Sequence, residues 1–494
     1  MKSWPKYPVI YEINTCIWLH ELSRKHQRLI TLGTIPAAEW DCLGSLGIDA
    51  VWFMGVWERS PAGKKIAIGN SKLMSEFKTV LPDFSGNALA GSAYCVKNYV
   101  VDRKIGGPEE LACAREMLTR RGIRLILDFV PNHVAPDHQW VTSHPEYFIR
   151  GSEEDIKRDP SSFMKLGNNI IALGRDPYFP AWPDVLQLNA FSSGLRKAVM
   201  ETMSEIAEQC DGVRCDMAML MMNRIFGMTW NALAEEKPSD DYWTTLITGI
   251  KNKFPGFLFI AEAYWNLEWE LQQQGFDFCY DKSLYDRLER DDAENIRLHL
   301  LADIKYQDRL IRFIENHDEP RAASSFSLEK EKMAAVIIST LPGARLFHEG
   351  QLEGLKTRIP VFLNRRPDEN IDKLSGLQSF YFKLLAEIDN DVFRNGIWQL
   401  CEVHGWPENG SCRNLLAWIW QKGENRYLII INFSSAASQG MVKVPWNDLC
   451  GRTLRLNDVF TGIAYERIGN EMANNGLYAD IKPWNCHFFR VKMD

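Results

Sequence analysis

Short apolar runs recur from the N-terminus to about residue 350, and stretches with helical periodicity separate most of them. Each run has the length of a strand, and several are rich in β-branched or aromatic residues. Parallel strands that alternate with helices form an open doubly wound sheet or a closed barrel, and eight units favour the barrel. The eight predicted strands are 9–14, 49–54, 124–128, 211–216, 257–262, 276–280, 312–316 and 344–347.

Helices are predicted where apolar residues recur every three to four positions between these strands. The clearest cover 109–121, 193–210, 283–300 and 328–341. The first of them is expected to end at Gly122, and the last at Pro342 and Gly343, because these residues terminate helices.

Two parts of the chain depart from this alternation. Residues 134–189 are rich in Pro, Asp, Phe and Trp, and a structureless loop of that length is improbable, so we predict a small subdomain inserted after the third strand. From residue 394, short β-rich runs divided by Gly, Asn and Pro predict an antiparallel β-sandwich. The predicted fold is therefore α/β: a (β/α)8 TIM barrel of residues 1–133 and 190–393, the inserted subdomain, and a C-terminal domain of residues 394–494.

Composition narrows the function classes. The 494 residues are 46% hydrophobic and 24% charged, as in globular proteins, and a net charge of −7 without a basic block gives no support for nucleic acid or an acidic membrane as partner. No apolar run approaches the roughly 18 residues of a transmembrane helix, and no signal peptide is apparent. The eleven cysteines are scattered without a Cys-x-x-Cys pair, which predicts reduced thiols and a cytoplasmic location.

Three acids lie at or just beyond the ends of the predicted fourth, fifth and seventh strands: Asp216, Glu262 and Asp318. Their spacings (262 − 216 = 46 and 318 − 262 = 56) are about one strand plus one helix each. Because a βα barrel gathers the C-terminal ends of its strands on one face, the acids are expected to share a site. A single strand-end Asp more often caps a helix or pairs with a base, so the prediction rests on their joint occurrence.

The neighbours of these acids predict different roles. Arg214 precedes Asp216 by two residues on one strand, so both side chains point to the same face, and a guanidinium there would keep Asp216 ionised as a nucleophile must be. Glu262 has apolar neighbours that would raise its pKa, which suits a general acid. His317 and His133 stand where imidazoles could hydrogen-bond to polar groups of a substrate.

Four stretches resemble the conserved regions of glycoside hydrolase family 13, the α-amylase family, in the family's order. They are Asp-Phe-Val-Pro-Asn-His at 128–133, Gly-Val-Arg-Cys-Asp at 212–216, the acid Glu262, and Asn-His-Asp at 316–318. The resemblance implies retention of configuration, with Asp216 as nucleophile, Glu262 as general acid/base and Asp318 as transition-state stabiliser. It also implies that Tyr94, His133, Arg214 and His317 bind the substrate sugar.

The chain also departs from the family pattern. After Asp216, where many α-amylases carry a Lys-His pair, it reads Met-Ala-Met-Leu at 217–220. At 186–189, where calcium-binding members carry an acidic residue, it reads Leu-Gln-Leu-Asn, and of the calcium ligands Asn132 alone matches. A hard cation needs several oxygen ligands, so we expect no metal-ligating residues, no cofactor and no calcium at the usual site.

The leading hypothesis is a retaining glycoside hydrolase that cleaves α-glucosidic bonds of α-glucans or maltooligosaccharides through a covalent glucosyl-aspartate. The alternative is an α-glucan transglycosylase (glucanotransferase) or a phosphorylase that uses the same residues. A third hypothesis, a noncatalytic binding barrel, is disfavoured because all three acids are present. The sequence leaves the exact substrate and the oligomeric state open.

Overall fold

Eight parallel strands form a closed barrel in the computed structural model, which describes residues 3–371 and 376–494. Each strand pairs with the strands before and after it in this series, and the last pairs with the first, so the predicted closed barrel is confirmed. The strands are β1 (Val9–Asn14), β2 (Ala50–Met54), β3 (Arg124–Phe129), β4 (Gly212–Cys215), β5 (Leu258–Ala261), β6 (Phe278–Tyr280), β7 (Leu310–Arg312) and β8 (Ala344–His348).

Alternation along these strands gives the barrel two cores. One set of residues, which includes Ile10, Trp52 and Ile260, packs inside the barrel, while the other set packs outward against the helices. Strand register places Arg214 of β4 level with Asp128 of β3. Charged side chains therefore replace the apolar filling at the C-terminal end of the barrel.

Helices surround the barrel, and one predicted helix is wrong in its extent. The segment 283–300 forms two helices because the Asp292 side chain accepts a hydrogen bond from the Asn295 amide and starts the second one. The helices outside residues 134–189 and the C-terminal domain are Thr15–His26, Ala37–Gly44, Pro61–Gly69, Ser71–Val80, Gly107–Thr119, Ser193–Gln209, Asn223–Trp230, Tyr242–Lys253, Glu268–Gln273, Lys282–Arg290, Ala293–Leu300, Ile304–Gln307, Ala322–Ser325, Leu328–Thr340, Leu377–Ile388 and Asp391–Asn395.

The seventh strand was also predicted wrongly, at 312–316. It runs from Leu310 to Arg312, and Phe313 to Asn316 continue beyond it toward the site. Ile311 and Phe313 point into the barrel, so Arg312 faces the surrounding helices, where its side chain is fully buried between Asp281 and Gln307.

Residues 134–189 contain short antiparallel pairs and two small helices. His133–Val134 pairs with Leu186–Gln187, and Phe163–Leu166 pairs with Asn169–Ala172. The helices are Trp140–Ser143 and Glu153–Arg158. A further two-stranded sheet, Trp57–Arg59 with Val96–Val101, lies in the loop after β2.

The C-terminal part contains one six-stranded and one three-stranded antiparallel sheet, as predicted for a β-sandwich. Leu415 and Leu428 of the larger sheet share a core with Val442 and Leu477 of the smaller one. Three of these strands, Ile397–Leu400, Glu402–His404 and Leu477–Ile481, are short and half exposed and therefore carry little apolar signal in the sequence. The strands are Ile397–Leu400, Glu402–His404, Leu415–Lys422, Asn425–Asn432, Ser438–Lys443, Thr453–Asp458, Ala464–Ile468, Leu477–Ile481 and Asn485–Met493, with a helix at Gly469–Asn475.

All eleven cysteines are unpaired, as predicted. The cytoplasmic location inferred from them stays a prediction. Within residues 3–371 and 376–494, no helix has the length and apolar character needed to cross a membrane.

Candidate active site

A cavity of about 350 Å³ opens at the C-terminal ends of the barrel strands. It brings together five of the residues predicted from sequence, and the other two, Arg214 and His317, contact these residues from below. Its lining consists of Ser92, Tyr94, His133, Trp182, Asp184, Val185, Asp216, Met217, Glu262, Tyr264, Asp318 and Phe362.

Arg214 lies at the centre of the acids and is only 1% exposed. One of its amino groups, Nη1, is 2.8 Å from Asp216 Oδ1, and the other, Nη2, is 2.7 Å from Glu262 Oε2. Two weaker contacts join Nη2 to Asp318 at 3.9 Å and Nη1 to Asp128 at 3.7 Å. The guanidinium therefore hydrogen-bonds to Asp216, as the prediction that it keeps this acid ionised requires, and it also forms an ion pair with Glu262, which the sequence did not predict.

The surroundings of Glu262 are more polar than predicted. Its Oε1 accepts a hydrogen bond from the Tyr264 hydroxyl at 2.9 Å, and its Oε2 accepts one from the Met217 amide at 2.5 Å. Burial nevertheless raises the pKa of Glu262 to about 7, although Arg214 acts in the opposite direction. The predicted direction of the pKa shift agrees with the structure, and its largest cause is desolvation by burial.

Asp216 follows the end of β4, and its backbone amide donates to the Phe129 carbonyl of β3 at 2.8 Å. Burial raises the pKa of Asp216, and the contact with Arg214 opposes that rise. The prediction that Arg214 favours the ionised form is correct in sign. It understates the cost of burying the carboxylate.

Asp318 forms the anionic end of a chain of charges. Its Oδ2 is 2.9 Å from His317 Nε2, and His317 Nδ1 is 2.5 Å from Glu12 Oε1 of β1. The two carboxylates outweigh the effect of burial and raise the pKa of His317 well above its usual value. Partial desolvation in the cavity, where the Asp318 side chain is still 40% exposed, opposes its ionisation, but the His317 imidazolium lowers its pKa to about 2. Asp318 is therefore an anion at any physiological pH.

Tyr94 and His133 form part of the cavity wall. The Tyr94 ring stacks on His317 at a centroid distance of 5.4 Å, and its hydroxyl lies 2.7 Å from His317 Nε2. His133 packs against Trp182 at 5.2 Å, and burial lowers its pKa to about 4, so its imidazole is neutral. A neutral imidazole and a phenol can each donate a hydrogen bond to a hydroxyl group or accept one from it.

Sequence reasoning missed three residues at this site. Tyr264 follows Glu262 by two positions and contacts it directly. Glu12 is an acid inside the apolar run of β1, which is itself a signal of a buried role. Asp184 lies in the inserted segment, whose path could not be derived from periodicity.

The residues at the usual calcium position do not fit a cation. The Gln187 side-chain nitrogen donates to Asn132 Oδ1 at 2.9 Å, to the Asn132 carbonyl at 3.0 Å and to the Leu188 carbonyl at 3.0 Å. Its Oε1 accepts from the Arg175 amide at 3.4 Å, which fixes the orientation of the amide group. Three oxygens that could ligate a metal are thus occupied by an NH₂ group. Elsewhere in the described residues, no group of three or more His, Cys, Asp or Glu side chains is arranged to hold a metal ion.

A closed (β/α)8 barrel with three carboxylates around one guanidinium defines the class of protein: a barrel with a site of the kind glycoside hydrolases use. Comparison with known proteins agrees. Residues 38–169 match the family model described as "Alpha amylase, catalytic domain". This match and the relatives below confirm the resemblance to the α-amylase family that the four sequence stretches predict.

Two curated relatives, an amylase and a maltosyltransferase, are similar to this chain in sequence. "Alpha-amylase MalA" of Haloarcula japonica is 22% identical over 451 residues, which are 88% of this chain and 56% of the relative. "Alpha-1,4-glucan:maltose-1-phosphate maltosyltransferase" of Picrophilus torridus is 21% identical over 396 residues, 75% of this chain and 55% of the relative. The chain thus spans about half the length of these curated relatives.

Solved structures share the architecture over the whole chain. A noncanonic maltogenic α-amylase, AmyB of Thermotoga neapolitana, has a TM-score of 0.69 at 20% identity and covers 98% of both chains. An α-amylase of Geobacillus thermoleovorans complexed with acarbose has a TM-score of 0.68 at 14% identity, covering 100% of this chain and 99% of the other. At these identities the likeness shows the fold.

Proposed function

We propose that the chain is a retaining glycoside hydrolase that cleaves α-glucosidic bonds of α-glucans or maltooligosaccharides. The observation that carries the proposal is the shared guanidinium, which holds two carboxylates side by side at the floor of one pocket. Retaining glycosidases use a pair of carboxylates in one site, one as nucleophile and the other as acid and base. The amylases and the maltosyltransferase among the relatives support the substrate class.

In the proposed first step, Asp216 attacks the anomeric carbon while Glu262 gives its proton to the leaving oxygen. A glucosyl ester forms on Asp216, and the glycosidic bond breaks. In the second step, Glu262 takes a proton from water, and the resulting hydroxide displaces Asp216 from the sugar. A pKa of about 7 lets Glu262 both donate and accept a proton near neutral pH. Asp318, kept anionic by His317, would stabilise the positive charge of the oxocarbenium-like transition state.

The test is the pair of isosteric variants Asp216→Asn and Glu262→Gln, with Glu154→Gln, an exposed acid of the inserted segment, as control. Turnover is measured on maltooligosaccharides and on an aryl α-glucoside. We expect a loss of about 10³-fold or more for each site variant and none for the control, because these groups act on the reacting atoms. Undiminished turnover in either site variant would refute the proposal.

A second candidate, transfer to a sugar acceptor, has its own support. Met217, Val185 and Phe362 give the cavity apolar walls next to the acids, and such walls disfavour water as acceptor. Phosphate as acceptor has less support, because Arg358, Arg365 and Arg366 each form an ion pair with a carboxylate. Products longer than maltotriose, formed from maltotriose alone, would require transfer. Formation of a sugar phosphate on addition of phosphate would require phosphorolysis.

A further inference from the structure

The cavity contains a fourth carboxylate that the mechanism above does not use. Asp184 lines the same cavity as Asp216, Glu262 and Asp318, yet it comes from the inserted segment rather than from a barrel strand. In the sequence, Asp184 lies between two other residues that line the cavity, Trp182 and Val185. The residue is only 8% exposed.

The Asp184 carboxylate has no hydrogen-bond donor from another residue in the part of the chain that the structure describes; its own backbone amide alone lies within reach. The backbone of Asp184, by contrast, does have a partner: its carbonyl accepts a hydrogen bond from Cys95 Sγ at 3.0 Å. Asp176, an equally buried acid of the same segment, instead accepts from the Tyr178 and Phe179 amides at 2.6 and 2.9 Å. The Asp176 carboxylate therefore has a structural role, whereas the Asp184 carboxylate makes no comparable contact with the described residues.

A buried carboxylate without a partner is costly unless something else binds it. Burial raises the pKa of Asp184 to about 6, so at neutral pH it is still mostly an anion and a strong acceptor. Trp182, Val185 and Phe362, which line the same cavity, are apolar. A ligand that fits both the Asp184 carboxylate and the apolar wall must combine hydroxyl donors with an apolar face. A pyranose ring has these two features.

We propose that Asp184 is a specificity-determining residue that accepts hydrogen bonds from hydroxyl groups of the sugar held in the cavity and selects sugars that carry them. This inference rests on the proposed function, since it concerns the substrate of the same site. It assigns Asp184 no part in bond making or breaking.

The experiment combines Asp184 variants with substrate analogues. Asp184→Ala, Asp184→Asn and the control Glu154→Gln are assayed on an aryl α-glucoside and on its 2-, 3-, 4- and 6-deoxy analogues. We expect Asp184→Ala to lower kcat/KM on the parent glucoside by about 10- to 100-fold, the range of one charge-assisted hydrogen bond. At least one deoxy analogue, the one that lacks the hydroxyl bound by Asp184, should show little further loss. The control should behave as the wild type.

Two outcomes overturn the inference. One is an unchanged kcat/KM in both Asp184 variants. The other is an equal loss on the parent glucoside and on every deoxy analogue, which would mean that Asp184 only maintains the fold. Asp184→Asn, which conserves size, and a thermal melt of each variant separate a folding defect from the loss of an acceptor.

A binding measurement keeps this inference separate from the proposed function. Calorimetry compares maltose binding to Asp216→Asn with binding to the double variant Asp216→Asn, Asp184→Ala. If the wild type cleaves no α-glucoside while the double variant binds maltose at least about tenfold more weakly, the proposed function fails and the role of Asp184 stands. Equal binding by the two variants, or binding by neither, overturns the role of Asp184.

Discussion

Tyr264→Phe should move the basic limb of the pH–activity profile to higher pH. The Tyr264 hydroxyl donates to Glu262 Oε1 at 2.9 Å. Burial raises the pKa of Tyr264 well above its usual value, so the phenol keeps its proton and acts as a donor. A hydrogen bond to the ionised form of an acid lowers its pKa, and removal of that bond must raise the pKa of Glu262.

The magnitude follows from the other contacts of Glu262. A hydrogen bond to a charged group contributes about 1.5–3 kcal/mol. Arg214 and the Met217 amide still hold Oε2 in the variant, so the lower end applies. That is a shift of about one pKa unit, since one unit corresponds to about 1.4 kcal/mol. The pKa of Glu262 should thus rise from about 7 in the wild type to about 8 in the variant.

The assay is kcat/KM on an α-glucoside between pH 5 and 10, because this parameter reports the pKa values of the free enzyme. Tyr178→Phe is the matched control: it removes the same hydroxyl from an exposed ring that packs edge-on against Trp265 and has no contact with Glu262. The control profile should superimpose on that of the wild type. A basic limb of Tyr264→Phe that stays in place or moves to lower pH would refute the reasoning, whatever the change in maximal rate.

Three further predictions concern stability. Glu12→Gln removes the buried charge 2.5 Å from His317 and should lower the free energy of unfolding by about 2–3 kcal/mol near pH 6. The pKa of His317 is raised in the folded state, so its charge stabilises the fold fully below about pH 6.5, and this stabilisation is lost as the pH rises through the folded pKa. The difference in free energy of unfolding between the variant and the wild type should therefore shrink at pH 10. A difference that stays constant across denaturation curves at these pH values would contradict this reasoning. Excess EDTA should leave the melting temperature of the wild type unchanged, because the Gln187 amide occupies the oxygens of Asn132 and Leu188. Gln187→Glu should lower the melting temperature, because a carboxylate would then face those oxygens. Millimolar Ca²⁺ should restore the melting temperature of this variant and leave that of the wild type unchanged. A melting temperature of the wild type that depends on calcium would contradict the conclusion that this position does not fit a cation.

The barrel was predictable because its signals are local. A buried strand between helices has a distinctive apolar run, and the C-terminal face of a barrel collects whatever follows each strand. The failures arose where long-range contacts overrule the local pattern. Arg312 is charged, yet it is buried, and Asp281 and Gln307 from other elements provide its polar partners. The edge strand Ile397–Leu400 is half exposed and carries little apolar signal.

The acids of the site were predictable in position but not in their contacts. Spacing along the chain places Asp216 and Glu262 on adjacent strands, but only side-chain geometry brings one guanidinium to both. Glu12 and His317 are 305 residues apart, so their contact depends on closure of the whole barrel. Asp184 depends on the path of an irregular segment, for which the sequence contains no periodic signal.

The shared guanidinium has a consequence for the proposed mechanism. Before the first step, the negative charge is on Asp216, and Glu262 carries a proton. When the glucosyl ester forms, Asp216 becomes neutral, and Glu262 becomes the anion because it has given up its proton. The charge has then moved from Nη1 to Nη2 of the same Arg214, which contacts both acids at nearly equal distance. In the proposed mechanism, Arg214 would therefore stabilise an anion on either side of the step from one fixed position, and a preorganised charge avoids the cost of reorganisation during the reaction.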